Sequence, residues 1–289
     1  MQNARREIVA DIQASMGPDV PARCSVPPEQ LAEEFVSEER IRQQIQLLEL
    51  AVGSIDGRKV LEIGSGYGMF VVVSIRDFGA DCFGVEPGSA GFADASSIAY
   101  RVLKLHGLDP SRIIMGTGEA LPLRSESFDL VYSLNVLEHV QDPRSVIEEA
   151  VRILKPGGCM FFVVPNYGSF WEGHYGLLWV PYISHSLARW YVRLFGKDPA
   201  YLDSLQFINY FSLRRCVRGL GNDVEILAWG EDTFRYRMKT LDFSEWAAVG
   251  TLKRLVRVAK SLRLNTLIAE ALVRCKAHTP LILTIRKKL

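Results

Sequence analysis

A chain of 289 residues, 48% hydrophobic and 23% charged, is long enough to bury a sizeable core and has the composition of a folded globular protein, which excludes a mainly disordered or fibrous one. A formal net charge of +1 gives no global attraction for nucleic acid, and none is expected as a partner. The five cysteines, Cys24, Cys82, Cys159, Cys216 and Cys275, are scattered and form no CxxC pair, so neither a disulfide framework nor a zinc site is indicated and a reducing, cytoplasmic compartment is expected.

The opening segment MQNARREIVADIQASMG carries Glu7 and Asp11 and lacks the apolar core of a signal peptide. No apolar run reaches the roughly 20 residues that a membrane-spanning helix needs. Residues 1 to about 28 contain Pro18, Pro21, Pro27 and Pro28 and predict a partly ordered lead-in ending in a Pro pair that opens a helix. Phe35, Ile41, Ile45, Leu48 and Val52 then recur at mostly helical spacing up to Gly53. Residues 1–55 are read as lead-in and helix.

From Lys59 short apolar runs alternate with helical segments: KVLEI, MFVVVSIRDFG, DCFGVE, GFADASSIAYRVLKLHG, RIIMGT, FDLVYSLN, DPRSVIEEAVRILKPGG and CMFFVVP. This order predicts an α/β domain over 56–289 with a doubly wound, mostly parallel sheet. After Pro165 the chain becomes irregular and aromatic, which reads as a substrate-side insertion over about 167–210. DVEILAW and LILTIRK are further strand candidates, separated by a basic helical stretch over about 243–279.

The sharpest local signal is Val60-Leu61-Glu62-Ile63-Gly64-Ser65-Gly66-Tyr67-Gly68, a strand running directly into glycines at alternate positions. Glycines allow a tight turn and let a ligand approach the backbone beyond the strand's carboxyl end. The spacing departs from the GxGxxG of nicotinamide sites, since Gly68 comes one residue early. Glu62 just before the loop suits a cationic ligand group and would repel a pyrophosphate. Glu86 closes the second strand, where a carboxylate accepts hydrogen bonds from ribose hydroxyls or simply caps the strand in solvent.

Together EIGSGYG, VEP, GEALPL, FDLVYSLNVLEHV and LKPGG, in this order between Lys59 and Pro165, resemble the class I S-adenosylmethionine-dependent methyltransferases of the ubiquinone-biosynthesis-like group. The resemblance implies a Rossmann-like, seven-stranded sheet ending in LILTIRK, with helical additions, S-adenosylmethionine as cofactor and no metal. It implies that Glu62, Gly64 and Gly66 line the methionine end of the cofactor, with Ser65 and Gly68 in the same binding loop. Glu86 would hold the ribose, Glu119 and Ala120 would flank the adenine, and Asn135 would face the methionine portion. His139 would lie near the mouth of the substrate pocket, and LKPGG would be a turn into the fifth strand. Other roles stay open: Asn135 as a turn cap, His139 as a histidine satisfied on a helix face, Glu119 as a surface residue.

Methyl transfer from a sulfonium is an in-line displacement, and a base is needed only when the acceptor must lose a proton. His139, His174 and His185 have a suitable side chain, and His174, beside Glu172 and among aromatics, is the first choice. WEGHYGLLWVP is weakly similar to methyltransferases acting on saccharide or lipid-carrier substrates, so the expected acceptor is a small molecule, a hydroxyl of a saccharide or lipid-linked intermediate. The rival readings are a nicotinamide-dependent oxidoreductase and a non-catalytic cofactor-binding scaffold. From Thr251 to Leu289 the basic residues face the single acid Glu270. That stretch reads as a solvated face covering the sheet or as a surface for anionic membrane, the latter placing the protein at the inner face of a membrane.

Overall fold

The computed structural model describes residues 2–16, 27–87, 94–240 and 250–289, without the side chains of residues 2 and 250–255. Pro18, Pro21, Cys24, the start of GFADAS and residues 243–249 of the basic stretch lie outside the described residues.

Helix α1 (Gln2–Ser15) occupies much of the expected loose lead-in. Ile8, Val9 and Ile12 share one helical face and, with Met16, are buried in the main core, which is why this part of the segment is ordered. Helix α2 (Pro28–Phe35) starts with Pro28 at its first position, as the Pro pair predicts. Helix α3 (Glu38–Val52) is separate because Ser37 caps it, accepting the Arg40 N–H, and it stops at Gly53 with φ 81°.

The strands are β1 (Lys59–Ile63), β2 (Asp81–Glu86), β3 (Ile113–Met115), β4 (Phe128–Leu134), β5 (Leu154–Val164), the two-residue β6 (Trp171–Glu172) and β7 (Leu177–Leu178), β8 (Val224–Ala228) and β9 (Leu281–Lys287). Seven form one sheet in the order β3-β2-β1-β4-β5-β9-β8. The neighbours from β3 to β5 run parallel, whereas β9 is antiparallel to both β5 and β8. The sheet is therefore α/β, doubly wound and mostly parallel, and LILTIRK enters between two earlier strands.

Alternation along the strands serves two helical layers. Val60, Leu130, Tyr132, Phe161 and Val163 face the layer of α1–α3, α4 (Met69–Phe78) and α5 (Ala95–Leu105). Leu61, Ile63, Val131, Met160, Phe162 and Leu283 face α6 (Pro143–Ile153) and α8 (Tyr210–Arg218). Each fully buried Leu, Ile or Phe contributes about 2 kcal/mol, so strands apolar on both faces hold the two layers together. LKPGG departs from the expected turn: Phe128 pairs with Leu154 and Leu130 with Cys159, so the run bulges within β5.

The insertion closes on its own aromatic core of Tyr167, Tyr175, Trp179, Leu202 and Leu205, to which β7 adds Leu177 and α7 (His185–Leu194) adds Val192. A second small core joins Trp171 of β6 to α9 (Glu231–Thr240), α10 (Gly250–Ser261) and α11 (Asn265–Arg274) through Phe234, Met238, Val256, Ala269 and Val273. Among the described residues, no helix is long and apolar enough to cross a membrane.

Candidate active site

The loop after β1 is built by backbone bonds to β2. The Gly64 and Ser65 N–H groups both donate to the Val85 carbonyl, at 2.9 and 3.1 Å, and Gly68 N–H donates to the Ser65 carbonyl at 2.8 Å. Gly64, Gly66 and Gly68 all have positive φ, which forces the choice of glycine. The three differ in what surrounds them. A β-carbon at Gly66 would meet nothing within 4 Å, so this residue faces open space, whereas one at Gly68 would press on Leu103 of α5. The Ser65 side chain is buried against Gly84 of β2, leaving its backbone as what it offers a ligand.

Two buried carboxyls converge here. Glu86 Oε2 accepts the Gly66 N–H at 2.8 Å; burial raises its pKa and that hydrogen bond pulls it back in part. Glu62, at the end of β1, is fully buried with Oε2 unpartnered among the described residues, and burial together with the nearby Glu86 holds its pKa well above the usual carboxylate range. An unpartnered buried carboxyl beside an open glycine turn is a poor place for an anion and a good one for a cation.

Glu119 and Ala120 belong to the loop that leaves β3, which is tied to Glu86 by the Gly116 N–H bonding the Glu86 carbonyl at 3.3 Å. Glu119 accepts the Gln141 N–H at 3.0 Å, linking this loop to the one before α6. Asn135 follows β4 in the left-handed region, φ 53°, with its N–H bonded to Val163 of β5 at 2.9 Å. These residues gather beyond the carboxyl ends of the strands, where doubly wound sheets bind ligands.

The two candidate catalytic histidines meet. The His139 and His174 rings are 5.6 Å apart edge to face, and Tyr201 touches both, at 5.9 and 5.4 Å. His174 Nδ1 lies 2.7 Å from Glu172 Oε1, and the other Glu172 oxygen accepts the Tyr175 N–H at 2.7 Å. Burial pushes the Glu172 carboxyl up, but the His174 charge and hydrogen bond and the Tyr175 N–H bring it below the ordinary value. Glu138, fully buried, has the opposite balance: desolvation outweighs His174 and lifts it to about 7. His185 sits apart, stacked on Phe207 at 3.7 Å.

Sequence reasoning overlooked Glu138, Tyr167 and Tyr201 in this cluster. Glu138 adjoins His139 in the motif and could have been found from it, but the tyrosines come from the insertion with no spacing to mark them. Glu138, His139 and His174 each offer a donor atom within 4.8 Å of the others, a set able to hold a metal ion.

The sheet order and the glycine turn with its carboxyl pair define the architecture of a class I S-adenosylmethionine-dependent methyltransferase. Residues 61–162 match the family model described as a methyltransferase domain. A stretch of 147 residues is 33% identical to an uncharacterized methyltransferase of Mycobacteroides abscessus, covering 50% of this chain and 54% of that protein. Another of 117 residues is 38% identical to the ubiquinone biosynthesis O-methyltransferase of Pseudomonas entomophila, covering 39% and 47%. The chain spans about half the length of the curated relatives it matches. The fold is shared with the crystal structure of the [4+2]-cyclase SpnF, TM-score 0.54 and 19% identity over 100% of this chain and 95% of that one. It is also shared with an S-adenosylmethionine-dependent methyltransferase from Mesorhizobium loti, TM-score 0.51 and 17% identity over 84% and 96%. The chain thus carries a class I S-adenosylmethionine-dependent methyltransferase domain. Its site fits that cofactor: the orphaned Glu62 oxygen suits a cationic methionine end, and the open face of Gly66 beside Glu86 leaves room for the nucleoside.

Proposed function

We propose that this protein methylates a hydroxyl of a small molecule, a saccharide or lipid-linked intermediate, with His174 as the base. The contact between His139, which follows the cofactor-side strand β4, and His174 of the insertion carries this reading, because it sets a base beside the cofactor end of the sheet. With Nδ1–H donating to Glu172, Nε2 is the ring nitrogen that would take the acceptor's proton. The buried Glu172 carboxylate orients the ring and stabilises the imidazolium formed on proton transfer, a contribution of about 10²–10⁴ in rate for a general base. Glu62, Gly64, Gly66, Glu86 and the loop of Glu119 and Ala120 would hold S-adenosylmethionine. When bound, the cofactor supplies a methyl group activated by a sulfonium. The hydroxyl acceptor is supported by the base and by O-methyltransferases among the similar proteins.

The test has two arms. Calorimetric titration of the protein with S-adenosylmethionine, S-adenosylhomocysteine and NADH reads the cofactor; binding of NADH alone would return the protein to the oxidoreductases. Methyl-labelled S-adenosylmethionine with hydroxylated saccharides and lipid-linked acceptors then reads the reaction. His174→Gln should abolish product while leaving the cofactor Kd within twofold. Cofactor binding without product from any acceptor favours the scaffold reading, and full turnover by His174→Gln removes the assigned base.

A further inference from the structure

We propose that the corner between α10 and α11 is a docking surface for an anionic lipid bilayer. The inner sides of both helices are already occupied. Val256, Ala269 and Val273 pack with Trp171, Phe234 and Met238, and Asn265 Nδ2 donates to the Met238 carbonyl at 3.0 Å. On the outer side, Val258, Leu262, Leu264, Leu267 and Ile268 remain 38–68% exposed. A helix pair that merely covered the sheet would turn these groups inward; here they cluster where the chain reverses, at Arg263 with φ 58°. Backbone bonds from Arg263 N–H to the Lys260 carbonyl and from Leu264 N–H to the Ala259 carbonyl keep the reversal tight.

Charge complementarity identifies what covers the corner. Arg257, Lys260 and Arg263 are exposed beside the apolar groups, and no acidic side chain among the described residues pairs with them. Glu270, the one acid of the two helices' described side chains, is held by Arg235 at 2.7 Å. Apolar side chains enter the acyl boundary while cations lie at the level of anionic headgroups, the arrangement of helices that rest in a membrane interface. With no described helix able to span a bilayer, this contact is peripheral. It does not depend on the acceptor or base assigned above.

Co-sedimentation of the full chain with phosphatidylcholine vesicles, with and without phosphatidylglycerol, tests it. Binding should require phosphatidylglycerol and weaken several-fold as salt rises. Leu262→Asp with Leu267→Asp should lower it at least tenfold, and Arg257→Gln, Lys260→Gln and Arg263→Gln by roughly fivefold per charge. Unchanged melting temperature and S-adenosylmethionine affinity show that these variants still fold. No binding by the parent protein at low salt, or equal binding by the folded variants, overturns the proposal. A dimer broken by Leu267→Asp without vesicle binding also overturns it, and gives the corner to a second copy.

Discussion

Gly64 and Val136 interlock the loops that follow β1 and β4: a β-carbon at position 64 would lie 2.3 Å from Val136 Cγ2. The cofactor-side turn and the segment leading to His139 therefore share one packing contact. Gly64→Ala adds this clash to a φ of +74° and should cost about 3 kcal/mol in stability together with cofactor binding. Gly66→Ala, in open space, should cost about 1 kcal/mol yet still weaken S-adenosylmethionine at least tenfold. Thermal melts paired with calorimetry separate the two, and equal melting temperatures would contradict the interlock.

With Glu62 holding the cationic end of the cofactor, as proposed, cofactor binding would be a proton-linked event. Its pKa in the free protein is raised, and a cationic ligand favours the ionised form, so binding lowers that pKa and releases a proton. Affinity for S-adenosylmethionine should rise with pH above the ordinary carboxylate range until Glu62 ionises unaided. Titrations at several pH values above the ordinary carboxylate range, each in two buffers of different ionisation enthalpy, should report release that is absent in Glu62→Gln; proton uptake would refute the assignment.

How much of this was legible beforehand depends on which interactions are local. The strands, the glycine turn, Glu62 and Glu86 could be read because alternation and turn chemistry are written over a few consecutive residues. Helix α1 was underestimated because its partners are far along the chain, as in the hydrogen bond between Ser15 Oγ and Tyr67 Oη at 3.0 Å. LKPGG is a turn by family resemblance, and only its pairing with β4 makes it a bulged strand. His174 was chosen for its neighbours in sequence, but its meeting with His139 and Tyr201 depends on how the insertion folds back.

Glu138 gives the protein a pH signature. Its folded pKa, about 7, lies above the unfolded value near 4.5, so its favourable contribution is complete below about 4.5 and lost as pH rises through 7. Glu172, His139 and His174 are titratable groups that face it. Relative to the parent, Glu138→Gln should therefore gain on the order of 3 kcal/mol between pH 4.5 and 8. Chemical denaturation at several pH values checks this, and a flat difference would show that Glu138 is already ionised.

Trp171 belongs to the hairpin that carries Glu172 and His174, yet it is buried among the C-terminal helices. Trp171→Ala should cost about 3–5 kcal/mol and reduce turnover far more than cofactor affinity. Equal losses in both would place its influence on the whole fold instead of on the hairpin.

The strand order also constrains how the molecule comes into being. β8 is synthesised well before β9, but among the described residues its one sheet neighbour is β9, which also completes the edge of β5. During translation, then, one strand waits without a partner and the sheet ends at β5, with α9, α10 and α11 made before the gap can close. Helices packed by Trp171 and the apolar corner beyond them are on the nascent chain before β9 is made, so the β5 edge and β8 are joined only once this later strand is available.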